Sequence, residues 1–251
     1  MVFIGNTLFG WVGADLLNGE SDLGFSLDKT LGPQSLRLLY LLLGLTAGIF
    51  ALFLTGPSLL RLPGGRSSRD WSFLGYFSLI GAGFMLIEIS QLQYLSDFLG
   101  NASWAISLVL CTLLLSTGIG SYFGKRSVRS TGLRRLTGLV GMLVLTGFAT
   151  VEVMAGFEDA EFWLRCLLGA GLLMPMGILM GMAMPLGMAL VVERRNELAP
   201  WFWGVNGAAS VMASVLAAVL GVTFGVDAPF WSGVAAYGLA VVVYWRLAAA
   251  K

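Results

Sequence analysis

The sequence predicts an all-α protein, a polytopic membrane helix bundle with about seven transmembrane helices. Of its 251 residues, 57% are hydrophobic and 12% are charged, whereas soluble domains carry about 25% charged residues. Seven separate stretches are mainly apolar over the roughly 20 residues that a helix needs to cross a bilayer. Most charged residues lie in the connections between these stretches, which is typical of a multi-pass membrane protein.

Taken in order, the predicted spans form a seven-helix transmembrane domain over residues 36–251. They cover residues 36–60, 71–95, 103–124, 133–155, 162–192, 202–225 and 229–248. The fifth is longer than a bilayer requires, so it must tilt, kink at Pro175 or Pro185, or extend beyond the membrane. Residues 1–35 have too few apolar residues to span, and we expect this tail to form a short interfacial helix or to dock on a partner.

The basic residues lie in alternate connections, which predicts the orientation of the chain. They follow the first, third, fifth and seventh spans: Arg61, Arg66 and Arg69; Lys125, Arg126, Arg129, Arg134 and Arg135; Arg194 and Arg195; Arg246 and Lys251. The other connections and the tail are acidic or neutral; these connections hold Asp97, Glu158, Asp159, Glu161 and Asp227. Because positively charged loops stay in the cytoplasm, we predict an extracytoplasmic N-terminus, a cytoplasmic C-terminus and, in a bacterium, the inner membrane.

The composition argues against catalysis in this chain. There is no histidine, and the two cysteines, Cys111 and Cys166, are isolated in apolar runs. The commonest metal ligand and the usual general base are therefore missing, and two separate thiols form no zinc site. No Walker or GxSxG sequence occurs, and a net charge of +1 gives no indication of nucleic acid. We predict no metal and no cofactor; a bound lipid is the ligand left open.

Small residues mark two spans as packing helices, because in lipid they let helix backbones approach closely. The sixth span has one at every fourth position: Ala209, Ala213, Ala217, Gly221 and Gly225. The fifth adds Gly177 and Gly181. We expect both helices to be central and closely packed.

Beside the small residues of the sixth span lies a polar face with Asn206, Ser210 and Ser214. In the fifth span, Pro185 removes an amide hydrogen bond, which predicts a kink or a broken helix. These four residues are candidates either for helix packing, through hydrogen bonds to neighbouring helices, or for lining an inner pocket. The pocket is considered because Pro185 and Asn206 lie at a similar depth in the membrane.

Glu88 is the main candidate for binding chemistry, because a charged group in hydrocarbon costs at least about 2.5–3.5 kcal/mol. It lies roughly 25 Å from residue 71 at 1.5 Å per residue, in the outer part of the membrane. Gln91 follows one turn later on the same helix face. We interpret Glu88 and Gln91 as candidates for binding a proton or another ligand; the alternative is a structural carboxylate hydrogen-bonded to neighbouring helices.

Four segments resemble, in the same order, the C-terminal membrane module of bacterial integral-membrane spermidine-synthase-like proteins, the fused major-facilitator/spermidine synthase proteins. They are LIGAGFMLIEISQLQYLSDFLG (79–100), WAISLVLCTLLLSTGIGSYFG (104–124), MPMGILMGMAMPLGMAL (174–190) and PWFWGVNGAASVMASVLAAVLGVTFG (200–225). The resemblance covers about residues 71–248. It implies a soluble Rossmann-type synthase domain, which has no counterpart in this sequence, so no catalytic residue is carried over.

These observations favour a non-catalytic integral inner-membrane subunit that anchors or scaffolds a larger complex, with the lipid bilayer and protein subunits as its partners. Two alternatives stay open. One is a small transporter or channel-like component for a cation or polyamine that uses Glu88. The other is a membrane partner of a separately encoded spermidine-synthase-like enzyme.

Overall fold

The computed structural model describes residues 33–59, 68–124 and 129–249. Those residues form seven α-helices and no strand. The helices are α1 (Pro33–Leu59), α2 (Ser68–Leu99), α3 (Ala102–Gly124), α4 (Arg129–Gly156), α5 (Phe162–Arg195), α6 (Ala199–Phe224) and α7 (Asp227–Ala249). A 3-10 turn (Asn196–Leu198) joins α5 to α6. The N-terminal tail up to residue 32 and most of the basic connections, for which an interfacial helix and an orientation were predicted, lie outside the described residues.

All seven helices are long and apolar enough to cross a membrane. The prediction of an all-helical, multi-pass membrane protein is therefore confirmed, and each predicted span lies on one observed helix. The clearest difference is at the end of α2. Asp97, predicted to lie in a connection, is inside this helix, which continues to Leu99.

The central helix of the bundle is α2. It packs most extensively on α6 and α7 and also contacts α3 and α5. Of its most apolar stretch, 56% is buried, more than in any other described helix. Because α2 has neighbours on nearly every side, its polar side chains are buried along with its apolar ones.

The small residues of α5 and α6 are closely packed, but against different neighbours. Ala213 and Ala217 of α6 are fully buried against Leu86 of α2. The chief partner of α5 is α3, and α5 and α6 touch each other little. The predicted central position thus belongs to α2, while α5 and α6 flank it. Gly225 lies past the end of α6, where its φ of 92° suits a helix C-cap.

The interface between α3 and α5 brings the two backbones together. A side-chain carbon on Gly120 of α3 would collide with the carbonyl of Ile178 on α5, and one on Gly181 would collide with the backbone of Thr117. The helix α5 runs without a break through Pro175 and Pro185, so the predicted break does not occur. The ring of Pro185 instead lies against Gly124 of α3, whose Cβ position is 3.2 Å from Pro185 Cβ.

Candidate functional site

The C-terminal part of α2 is unusually polar for a buried helix, and its residues 88–97 are called the polar segment. Seven of these ten side chains are polar: Glu88, Ser90, Gln91, Gln93, Tyr94, Ser96 and Asp97. All are buried except Asp97, which is half-buried. Since polar groups inside a membrane must find partners within the protein, in water or in a ligand, the partners of this segment decide its role.

Two side chains of the polar segment fasten α2 to the turn between α6 and α7. The hydroxyl of Ser90 donates to the carbonyl oxygen of Val226 at 2.9 Å. The hydroxyl of Tyr94 donates to the carboxylate of Asp227, the first residue of α7. Both groups are thereby satisfied, so their role is to fix this end of α2. Tyr94 was not among the predicted site residues, and Asp227 was predicted to lie in a connection. Nothing in the order of the residues along the chain indicates that α2 and α7 are neighbours.

Glu88 and Gln91 lie one turn apart on one face of α2, and neither is fully hydrogen-bonded by the described residues. Glu88 is 8% exposed and Gln91 is 0% exposed. Oε2 of Glu88 and both amide atoms of Gln91 have no hydrogen-bond partner among the described residues. One turn beyond Gln91 on this face, Leu95 packs on Gly169 of α5, 2.8 Å from its Cβ position. Buried groups of this kind need water or a ligand to offset their desolvation.

Gln93 and Asp97 form a second pair, one turn apart on another face of α2. The amide of Gln93 lies against α6, with Nε2 at 3.3 Å from the Cβ position of Gly221. Oε1 of Gln93 and Oδ1 of Asp97 are buried without a hydrogen-bond partner in the described part of the chain. Neither residue was among the predicted site residues, although the amide was visible in the sequence beside Glu88.

An arginine caps the C-terminal end of α2. Nη1 of Arg165, near the start of α5, donates to the carbonyl oxygen of Phe98 at 2.9 Å. A cation is favourable there, because the last carbonyls of a helix carry partial negative charge. Arg165 therefore stabilises the end of the helix that holds the polar segment.

The polar face of α6 serves helix packing. Nδ2 of Asn206 donates to the carbonyl oxygen of Phe77 at 2.9 Å. The hydroxyl of Ser210 lies within hydrogen-bonding distance of the carbonyl oxygens of Gly81, at 3.2 Å, and of Asn206, at 2.9 Å. Ser214 bonds only within its own helix, to Val211 at 2.8 Å. Asn206 and Ser210 thus join α6 to α2, and Ser214 contributes no bond between helices.

Side chains of α2 lie beside both candidates for an inner pocket, Pro185 and Asn206. Tyr76 and Phe77 of α2 contact Gly187, two residues after Pro185. The carbonyl of the same Phe77 accepts the hydrogen bond from Asn206. An inner pocket shared by the two residues stays a prediction.

The described residues hold no group of three or more His, Cys, Asp or Glu residues arranged to bind a metal ion. Cys111 is exposed and Cys166 is half-buried, and both are free thiols. Comparisons of the chain with models of protein families, with curated proteins and with solved structures give no match.

Proposed function

We propose that this chain is a non-catalytic membrane subunit that anchors a larger assembly, and that α1 is the helix through which it binds its partner. The observation that carries this proposal is the exposure of α1. Of its described side chains only that of Thr46 is buried, whereas 22–56% of the most apolar stretch is buried in the six other described spans. The protein's own bundle therefore leaves α1 almost entirely open to lipid or to another protein.

The helix α1 is attached to the bundle along one narrow stripe. Among the described helices, its substantial contacts are with α6 alone. Nε1 of Trp201 donates to the carbonyl oxygen of Phe53 at 3.0 Å, and the two rings lie 5.9 Å apart. Beside this contact, the ring of Phe53 lies 2.9 Å from the Cβ position of Gly204, which has no side chain to obstruct it. The opposite face of α1 has no contact within the described part of the chain.

The open face of α1 has the residues that favour association with another transmembrane helix. Gly44 and Gly48 are exposed, spaced by four, and no atom lies within 4 Å of either Cβ position. The exposed side chains of Leu41, Leu45 and Leu52 flank them. Because paired glycines let two backbones approach closely in lipid, this face suits a partner subunit with a transmembrane helix of its own.

The proposed subunit lies in the bacterial inner membrane with its N-terminus outside and its C-terminus in the cytoplasm. The positions of the basic residues along the sequence support this orientation. One of them, Arg135, donates from its Nη1 to the carbonyl oxygen of Phe123 at 3.1 Å, near the connection between α3 and α4. The resemblance to spermidine-synthase-like membrane modules suggests one identity for the partner, a separately encoded enzyme of that kind.

The double variant Gly44→Ile/Gly48→Ile tests the proposal. In a gentle-detergent purification followed by mass spectrometry, the tagged wild-type chain is expected to retain a membrane-protein partner and the variant to lose it. The melting temperature of the isolated chain should not fall, because both Cβ positions are open and isoleucine is the better helix former.

Gly118→Ile provides the matched control, since Gly118 of α3 is also exposed and has an open Cβ position. This variant should keep the partner. A wild-type chain that purifies as a clean monomer would count against the anchoring role. Retention of the partner by the α1 double variant would show that α1 is not the docking helix.

A second candidate function is the movement of a cation, such as a proton or a polyamine, past Glu88. The observation that favours it is the pair of Glu88 and Gln91, which are at most 8% exposed and have three side-chain atoms without a partner among the described residues. A carboxylate beside an amide in the membrane interior is a group of the type found along proton and ion pathways.

Uptake into proteoliposomes separates this candidate from the anchoring role. If the pair forms part of a pathway, Glu88→Gln should reduce uptake of the transported cation by about 10-fold or more, since loss of a charged hydrogen-bonding partner costs about 1.5–3 kcal/mol. Glu152→Gln removes an exposed carboxylate from α4 and should leave uptake unchanged. Equal uptake by the wild type and Glu88→Gln would remove Glu88 from the mechanism.

A further inference from the structure

The second pair of the polar segment, Gln93 and Asp97, lies where α2 leaves the membrane. The helix has 32 residues, which corresponds to about 48 Å at 1.5 Å per residue, and the hydrocarbon core is only about 30 Å thick. Asp97 is two residues from the end of α2, and the exposed Gly100 follows with a φ of 68°. The pair is therefore placed at the level of the lipid headgroups, on the side of the membrane where α2 ends.

Two buried hydrogen-bond acceptors at this end of α2 have no donor among the described residues. They are Oε1 of Gln93 and Oδ1 of Asp97, and the Gln93 side chain is only 6% exposed. Tyr94 brings a second carboxylate, that of Asp227, to the same end of the helix. Arg165 is a cation at this end of the bundle, but its Nη1 donates to the carbonyl of Phe98 and its Nε is buried without a partner among the described residues. The oxygens of Gln93 and Asp97 therefore lack a group with N–H donors.

The backbone around the two oxygens is firmly held. The hydrogen bonds of Ser90 and Tyr94 fix α2 against the α6–α7 turn. Gly221 faces the amide of Gln93, where a Cβ would already lie within 3.3 Å of Nε2. At Gly225 in the turn, no atom lies within 4 Å of the Cβ position. Gly221 therefore adds no side chain beside the Gln93 amide.

We propose that Gln93 and Asp97, with the α6–α7 turn, bind a primary ammonium group at the outer end of α2. Such a group offers three N–H donors and a positive charge to two unpaired oxygens and a nearby second carboxylate. A quaternary ammonium has the same charge but no N–H donor, so it satisfies neither oxygen by hydrogen bonding. The ammonium can come from the headgroup of phosphatidylethanolamine or from a soluble amine.

Thermal unfolding of the full chain in lipid nanodiscs tests this proposal and distinguishes the two sources. With acyl chains held constant, phosphatidylethanolamine is expected to raise the melting temperature over phosphatidylcholine by about 3 °C or more. A second arm adds ethanolamine, or choline as its donor-free counterpart, to phosphatidylcholine nanodiscs. A rise with the lipid alone identifies a headgroup site, and a rise with ethanolamine but not choline identifies a site for soluble amines.

The variants Asp97→Asn and Gln93→Met should lose the ammonium-dependent rise. Glu158→Gln should keep it, because it removes an exposed charge from the connection between α4 and α5 and not from the proposed site. The melting temperature of each variant in phosphatidylcholine reports whether it folds. Equal melting temperatures of the wild type with and without either ammonium source overturn the proposal, as does a rise that survives in Gln93→Met.

Discussion

Replacing Gly120 by valine should destabilise the protein more than any other single change considered for this chain. We expect a loss of about 3 kcal/mol, at the upper end of what overpacking costs. That loss corresponds to a fall in melting temperature of about 6–12 °C for a chain of this size. The measurement is thermal unfolding of the purified protein in detergent or nanodiscs.

The physical reason is that the atom in the way cannot rotate aside. The Cβ of valine would collide with the carbonyl oxygen of Ile178, which belongs to the backbone of α5. The same interface holds the reciprocal contact, in which Gly181 lies against the backbone of Thr117. Separating the helices at Gly120 would therefore also loosen the contact at Gly181, one turn away along the same pair of helices.

Gly118→Val is the control, because it makes the same change two residues earlier on α3. Gly118 is exposed and no atom lies within 4 Å of its Cβ position. The control variant should unfold at or slightly above the wild-type temperature, since valine is a better helix former than glycine. Equal melting temperatures of the two variants would show that α3 and α5 do not pack backbone to backbone.

The helices could be predicted from the sequence because each depends on local composition. A run of about 20 apolar residues bounded by charges specifies a span whatever its neighbours are. Which helices pack against each other depends on all the helices together, and the composition of one span does not indicate it. The glycines of α5, Gly177 and Gly181, were recognised as packing residues, but the residues of α3 that they contact, Ser116 and Thr117, were not.

The candidate site could also be predicted only as far as local sequence allows. Glu88 and Gln91 were found because a carboxylate and an amide in an apolar run can be recognised without knowing which helices are neighbours. The pair of Tyr94 and Asp227 joins residues 133 positions apart, so only the packing of α7 on α2 reveals it. Asp97 was assigned to a connection because a helix boundary next to a carboxylate cannot be read from hydropathy alone.

The contact between α2 and α6 gives the second large expected effect. Asn206→Leu removes the hydrogen bond to the carbonyl of Phe77, and such bonds within membranes contribute up to about 1.7 kcal/mol. It also puts a branched apolar side chain beside Gly81, whose Cβ position already lies 2.7 Å from Nδ2 of Asn206. With about 1 kcal/mol for this crowding, we expect a total loss of about 2–3 kcal/mol.

Two further variants separate the causes of this loss. Asn206→Ala removes the hydrogen bond without the crowding and should cost about 1 kcal/mol. Ser214→Ala removes a hydroxyl that bonds only within α6 and should change stability by less than about 0.5 kcal/mol. If Asn206→Leu unfolds at the wild-type temperature, Asn206 does not hold α6 against α2.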